Sequence, residues 1–247
     1  MGKNGNSNKN ILERLLSPLF KKKSFEDDYD PAAKEISSES FPLLPLRDLV
    51  LFPDTVISLF LKNSADIAAL EEARRRENRL FASCLVKRDD AMEIEPCETG
   101  TVVRIINRLK LSDNTCRVVL QCEYRAAILS LSEHNNFSMV KVQPLKTTGL
   151  DEPFSPDDLA LIRSIQRSFT QYAEYSRRIN ADTLSAVERS ESPERIANLV
   201  CNAAYFKPDK KLELLRYTDT RERLLAILET LNVKTKYTAF RKILPAR

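Results

Sequence analysis

His134 is the single histidine of this 247-residue chain, and so the one side chain whose ordinary pKa suits general-base work near neutral pH. It stands in the polar run Ser132-Glu133-His134-Asn135-Asn136, whose composition reads as a solvated turn. A Ser-His-Asp or Cys-His arrangement would rest on it entirely. A Ser-Lys dyad needs no histidine, but no sequence signature of one stands out. The acidic pairs Asp89-Asp90, Asp151-Glu152 and Asp157-Asp158 are adjacent in sequence. In a strand they would point to opposite faces, and at a helix start they would favour the dipole, so neither placement builds an acid/base pair. Five cysteines, Cys84, Cys97, Cys116, Cys122 and Cys201, contain no C-x-x-C pair. Cys116 and Cys122 would share a strand face, yet too few further ligands lie nearby for a metal. The four glycines, Gly2, Gly5, Gly100 and Gly149, are too dispersed for a phosphate-cradling loop or a dinucleotide fingerprint. The residues therefore predict no catalytic site, no cofactor and no metal.

Composition supports binding better than chemistry. At 43% apolar residues the chain can build a sizeable core. Lys plus Arg exceed Asp plus Glu by 39 against 35, a net charge of +4, so the field does not announce a nucleic-acid partner. Arg74-Arg75-Arg76, the group Arg104, Arg108 and Lys110, and Arg177-Arg178 are interleaved with acids and few aromatics, as on ordinary solvated faces. The cysteines lie in or beside apolar runs and read as reduced, core-filling thiols of a cytoplasmic protein. No apolar run approaches the roughly 18 residues of a membrane span. The N-terminus is no signal peptide, since Glu13-Arg14 and Pro18 break its apolar part, and Asn6 stands where a myristoylation signal needs Ser or Thr.

The elements that would position a binding surface begin with Phe41 to Leu61, a dense apolar run carrying Pro42, Pro45 and Pro53. Proline removes a donor and pushes its predecessor toward extended geometry, so this segment predicts two strands joined at Phe52-Pro53-Asp54, at the rim of a β domain. Further strands are expected at Leu80–Val86, Gly100–Leu111, Arg117–Gln121, Arg125–Leu131 and Phe137–Leu145. Ser112-Asp113-Asn114 reads as a hairpin turn. One helix interrupts them, capped by Ser64 and burying Ile67, Ala68, Leu70 and Ala73.

Beyond Gly149 the apolar period changes from two to about 3.6. Ser155-Pro156-Asp157-Asp158, Ser192-Pro193-Glu194, Pro208-Asp209 and Asp219-Thr220-Arg221-Glu222 each open an apolar helical stripe, and predict four or five helices packed as a bundle. Ahead of the strands, residues 1–40 form an arm, basic to Lys23 and acidic after it. Ile11, Leu12, Leu15, Leu16, Leu19 and Phe20 recur there at helical spacing, interrupted by Pro18. The expected organisation is an arm over 1–40, a β domain over 41–148, helices over 149–232 and a basic tail over 233–247.

Leu44-Pro45-Leu46-Arg47-Asp48-Leu49-Val50-Leu51-Phe52-Pro53 resembles the opening signature of the Lon protease N-terminal domain family. Blocks in the same order extend the resemblance across most of 41–232. They are Leu59-Phe60 followed by Ile67-Ala68-Ala69-Leu70, Gly100-Thr101-Val102, Tyr124-Arg125-Ala126, Pro193 to Val200, and Glu222-Arg223-Leu224-Leu225. Departures fall in loops: Lys62-Asn63 replaces a Gly-Arg, Asn114 a hairpin glycine, and Gln121-Cys122 a Glu-Gly. The resemblance implies an α+β fold, a PUA-like mixed β domain followed by a C-terminal helical bundle. It also implies recognition of unfolded or tagged proteins for degradation, either as a free-standing domain or as the front of an ATP-dependent protease. The ATPase and Ser-Lys protease modules that follow in the family have no counterpart between Leu231 and Arg247. A β edge beside proline-rich strands can accept an extended peptide, and Leu49, Val50, Leu51 and Phe52 are the expected peptide-binding residues. A nucleic-acid or ribosome-associated module on the same scaffold is the second reading.

Overall fold

The computed structural model describes residues 38–87, 94–111, 115–150, 152–176 and 179–243. The stretch expected to be helical at 11–20, the turn Ser112-Asp113-Asn114, Asp89-Asp90, Asp151 and Arg177-Arg178 lie outside them. Among the described residues seven strands form one sheet: β1 (Glu39–Arg47), β2 (Val56–Leu61), β3 (Arg79–Lys87), β4 (Ile94–Pro96), β5 (Thr99–Lys110), β6 (Cys116–His134) and β7 (Phe137–Pro144). Its order β1-β7-β6-β5-β3 closes on itself, because β1 also pairs with β3, in parallel. β2 is appended to β6, and β4 to β3.

The prolines of β1 fit this closure. Residues 39–42 pair with β7, whereas residues 43–47 pair with β3. Each half of the strand thus uses only one edge, and a missing N–H at Pro42 or Pro45 costs no second ladder. Successive side chains bury on opposite faces. Phe41 and Leu43 join Phe81, Val102, Val140 and Val142, while Leu44 and Leu46 join Leu80, Val103, Val118 and Leu120. Gly100 is required where β5 crosses β3, since a Cβ there would lie 2.4 Å from the Ala82 carbonyl oxygen and 2.6 Å from Phe81 Cζ.

Helix α1 (Ser64–Arg75) covers the second of these clusters with Ala69, Leu70 and Ala73. Its cap is Asn63, one residue before the expected Ser64, with Oδ1 accepting from the Ala65 N–H at 3.1 Å. The runs expected as separate strands at Arg117–Gln121 and Arg125–Leu131 are one long strand, β6, whose end includes His134. That histidine stacks on Phe137 at 6.0 Å across the hairpin.

Five helices follow: α2 (Pro156–Tyr175), α3 (Ala181–Arg189), α4 (Pro193–Ala203), α5 (Pro208–Arg216) and α6 (Thr220–Ile243). The capping grammar operates as its residues dictate. Ser155 and Asp158 form a reciprocal capping box, Ser192 accepts from the Arg195 N–H, and Asp219 accepts from the Glu222 N–H. Helix α6 runs past Asn232, the boundary expected for the helical region, to Ile243. Ile165, Phe169, Ile196, Val200, Leu214, Leu224 and Leu231 form the helical core, and Val50, Phe52, Cys84 and Cys97 from the sheet side belong to the same cluster. One apolar core therefore joins ring and helices. No helix among the described residues is long and apolar enough to cross a membrane.

Candidate functional site

Leu49, Val50, Leu51 and Phe52 lie in the connection between β1 and β2, not within a strand. Asp48 and Asp54 bracket it in the left-handed region, at φ 54° and 63°, a conformation that Asp tolerates better than most residues. Between them the chain runs as a two-sided wedge. Val50 and Phe52 enter the cluster shared with the helices, and Leu51, with half-buried Leu49, enters the cluster under α1. Val50, Leu51 and Phe52 are enclosed. The expected site residues are thus brought together, but three of the four offer no surface to a partner, because helices and sheet occupy both of their sides.

One buried arginine fastens this wedge to the helices, and a second ties the sheet to them. Arg223 of α6 places its guanidinium 5.6 Å from the Phe52 ring centroid, donates from Nε to the Leu214 carbonyl at 2.9 Å, and from Nη2 to Asn198 Oδ1 at 2.8 Å. Asn198 Nδ2 in turn donates to Asp54 Oδ2 at 2.9 Å. Burial pushes the Arg223 guanidinium down to about 10, still above neutral pH. Arg125 of β6 donates from Nη1 to the Leu215 and Tyr217 carbonyls at 2.9 and 2.6 Å, and from Nη2 to Glu194 Oε1 at 3.2 Å. Burial lowers its pKa also, opposed by the Glu194 carboxylate. Carbonyls at the end of α5 that would otherwise lack donors are satisfied from the sheet.

The surface next to the wedge has a different character. In β2, Ile57, Leu59 and Leu61 pack inward, whereas Val56 and Phe60 are 62% and 59% exposed. Across the sheet, Phe60 faces Arg117 of β6, which faces Leu109 of β5. The next outward row is Ser58, Val119 and Asn107. Leu109 is 56% exposed, and Ile106, thrown out by the bulge between Ile105 and Asn107, is 52% exposed. Arg117 lies over the Phe60 ring at 5.9 Å and donates to Ser58 Oγ at 3.0 Å. Among the described residues β2 pairs with β6 alone, so its other edge carries backbone donors and acceptors open to a further strand. No group of three or more His, Cys, Asp or Glu side chains among the described residues could hold a metal ion.

Residues 40–233 match the family model described as the ATP-dependent protease La (LON) substrate-binding domain. The chain belongs to the LON substrate-binding domain family. This LON domain is 31% identical over 195 residues to Lon protease 1 of Bacillus subtilis, covering 78% of this chain and 25% of that protein. It is 32% identical over 187 residues to Lon protease 1 of Syntrophobacter fumaroxidans, covering 75% and 23%. The chain thus spans about a quarter of the length of the curated relatives it matches, and the matched part is their substrate-binding region, not a catalytic domain. The N-terminal domain of Mycobacterium avium complex Lon protease superposes with a TM-score of 0.61 at 21% identity, covering 78% of this chain and 98% of that one. The Lon N-terminal domain protein from Xanthomonas campestris gives 0.55 at 18%, covering 77% and 98%. These likenesses establish the fold: the LON N-terminal arrangement of a mixed sheet followed by helices.

Sequence reasoning missed the outward face of this LON domain. Val56-Ile57-Ser58-Leu59-Phe60-Leu61 is apolar at five of six positions, so no alternation separates its buried from its exposed side. The available signal was the excess itself: a strand apolar on both faces is either covered on both or presents one.

Proposed function

We propose that this LON domain captures polypeptides in an extended, non-native or tagged state for ATP-dependent proteolysis, and performs no chemistry on them. The observation that carries the reading is the outward face of β2, β6 and β5. Val56 and Phe60 of β2 and Leu109 and Ile106 of β5 are exposed on it, and among the described residues β2 is paired along one edge only. An extended peptide can add to such an edge through main-chain hydrogen bonds while its alternate apolar side chains settle on the exposed ones. Folded proteins keep both features internal, which gives the discrimination a degradation system needs.

In this proposal Leu49, Val50, Leu51 and Phe52 serve from beneath. Leu49 and Leu51 share a cluster with Ile57, Leu59 and Leu61, so they hold β2 in place, and Leu49, half-buried, is the member nearest to a docking role. The closed ring with appended β2 and β4 supports a PUA-like description of the sheet, and the shared core of α2 to α6 supports reading them as a bundle. Free, buried thiols suit a cytoplasmic setting. The domain would act as the front of a Lon-type protease or as a separate module serving one.

The test is binding of the full chain to a fluorescently labelled protein, once reduced and alkylated so that it stays unfolded, and once native. Saturable binding of the unfolded form alone is expected, and the double substitution Val56→Ser with Phe60→Ser should weaken it at least tenfold with secondary structure unchanged. Equal affinity for both forms of the labelled protein would overturn the reading. An unaffected double variant would move the site elsewhere.

A further inference from the structure

The short strand β4 sets Cys97 opposite Cys84. The β3–β4 register pairs Leu85 with Pro96, and one step further the Cys97 N–H donates to the Cys84 carbonyl at 2.8 Å. Residues facing one another across antiparallel strands have Cα atoms about 4.5–5.5 Å apart, inside the range of about 4.4–6.8 Å that a disulfide bridges. Both side chains enter the same apolar cluster, at 4% and 2% exposure, so they lie on one face. All five thiols are free. Cys116 and Cys122 belong to a different cluster, and Cys201 sits within α4.

We propose that Cys84 and Cys97 are a reversible redox pair that closes to a disulfide on reaction with a hydroperoxide. The two thiols are not equivalent. Arg216, at the end of α5, donates from Nη2 to Cys97 Sγ at 3.2 Å, so Cys97 is the sulfur of the pair that has a cationic hydrogen-bond donor against it. Burial and the neighbouring Cys97 both push the Cys84 thiol above its ordinary value. Cys97 is therefore the attacking sulfur. Its thiolate takes the distal oxygen of the peroxide, the O–O bond breaks, and the departing hydroxide or alkoxide accepts a proton. Cys97 is now a sulfenic acid. Cys84 attacks that sulfur, its proton leaving with the displaced hydroxide as water, and the S–S bond forms. In sum, two thiols and one peroxide give one disulfide, one water and a second water or alcohol, with two electrons passing from sulfur to oxygen. Closure ties the edge strand β4 covalently to β3 and replaces the sulfur acceptor of Arg216 with a poorer one. The state of this edge is thereby signalled to α5.

The experiment treats the full chain with hydrogen peroxide, alkylates the remaining thiols, digests it and identifies the peptides by mass. A peptide pair joined through Cys84 and Cys97, lighter by two hydrogens than the sum of its parts and separated again by a thiol reductant, is expected. Cys84→Ser should instead leave Cys97 reactive toward a sulfenic-acid probe, and Arg216→Leu should slow closure several-fold, with circular dichroism checking that each variant is folded. Full alkylation of both cysteines after peroxide, or a bridge involving another cysteine, would overturn the pair. An unchanged rate in folded Arg216→Leu would overturn the order of attack.

Discussion

Arg223 stacks its guanidinium over the ring of Phe52, 5.6 Å from its centroid, and so binds the last helix to the loop that carries the family's opening signature. The cation is enclosed and hydrogen-bonded to the Leu214 carbonyl and Asn198, so removing it strands both acceptors and empties a large buried volume. Arg223→Leu should cost about 3 kcal/mol or more, read as a lower urea midpoint. Arg223→Lys should rescue little of it, because one ammonium cannot reproduce the planar fork.

Arg125 predicts an asymmetry. It serves two carbonyls at the end of α5 as well as Glu194, and it is buried while the Glu194 side chain is 39% exposed. Arg125→Leu orphans the carbonyls, whereas Glu194→Ala leaves the arginine two of its three partners. The first substitution should therefore destabilise by roughly 2 kcal/mol or more, and the second by about half as much. Thermal unfolding of the two single variants and the double variant would measure the coupling between them.

Gly100 gives the most local test. A methyl group there would meet the Ala82 carbonyl and the Phe81 ring at 2.4 and 2.6 Å, backbone on one side and a fully buried ring on the other. Gly100→Ala should lose about 1–3 kcal/mol through overpacking, against the small gain that Gly→Ala gives in open space. A chemical-denaturation midpoint at or above that of the parent would contradict the close crossing of β3 and β5.

How much of this was legible in the sequence follows from how local each cause is. Helix starts α2 and α4 were readable because a serine cap, a proline at the first turn and an acid sit within four residues of one another, α5 from its proline and acid alone, and α6 from the Asp219 cap and Glu222. Helix α3 was not, since its cap Asn180 precedes a mixed, polar stretch. Strand β4 is three residues long and carries no periodic signal. The apparent break that split β6, Cys122-Glu123-Tyr124, continues as strand, with Cys122 in the core cluster and Glu123 and Tyr124 half-exposed. The Leu49–Phe52 segment was legible as the junction of two strands but not as enclosed, because its second side is covered by helices more than 100 residues away in sequence. Reading Val56 and Phe60 as outward-facing needed the pairing of β2 with β6, a long-range fact of the same kind.

Cys201 makes a pH prediction. It is buried, and desolvation pushes its thiol from the ordinary 9.0 up to about 11, partly offset by Arg223, Lys211 and Arg125. Between those values the unfolded chain loses this proton while the folded chain keeps it, so the unfolded state binds fewer protons and stability falls as pH rises. The contribution is intact below pH 9 and should decline on the order of 1 kcal/mol per pH unit above it. Cys201→Ala should flatten that part of the profile, measured as the parent-minus-variant difference in urea midpoint from pH 8 to 11.

The salt dependence of binding separates polypeptide capture from a nucleic-acid role. Several arginines of the sheet and of α1 are already ion-paired: Arg74 and Arg108 with Glu71, Arg76 with Glu72, and Arg79 and Arg104 with Glu123. A phosphate backbone would have to break these pairs to gain its own. The exposed face offers apolar side chains and a strand edge, whose attraction for a peptide does not depend on releasing counterions. Affinity for an unfolded protein should therefore change only a few-fold between 50 and 200 mM salt, roughly, where a protein neutralising six to ten phosphates would lose about a thousandfold or more. A titration against labelled unfolded protein and against single-stranded RNA at both salt concentrations decides between them. RNA binding with a steep slope, together with salt-sensitive or absent polypeptide binding, would reverse the assignment.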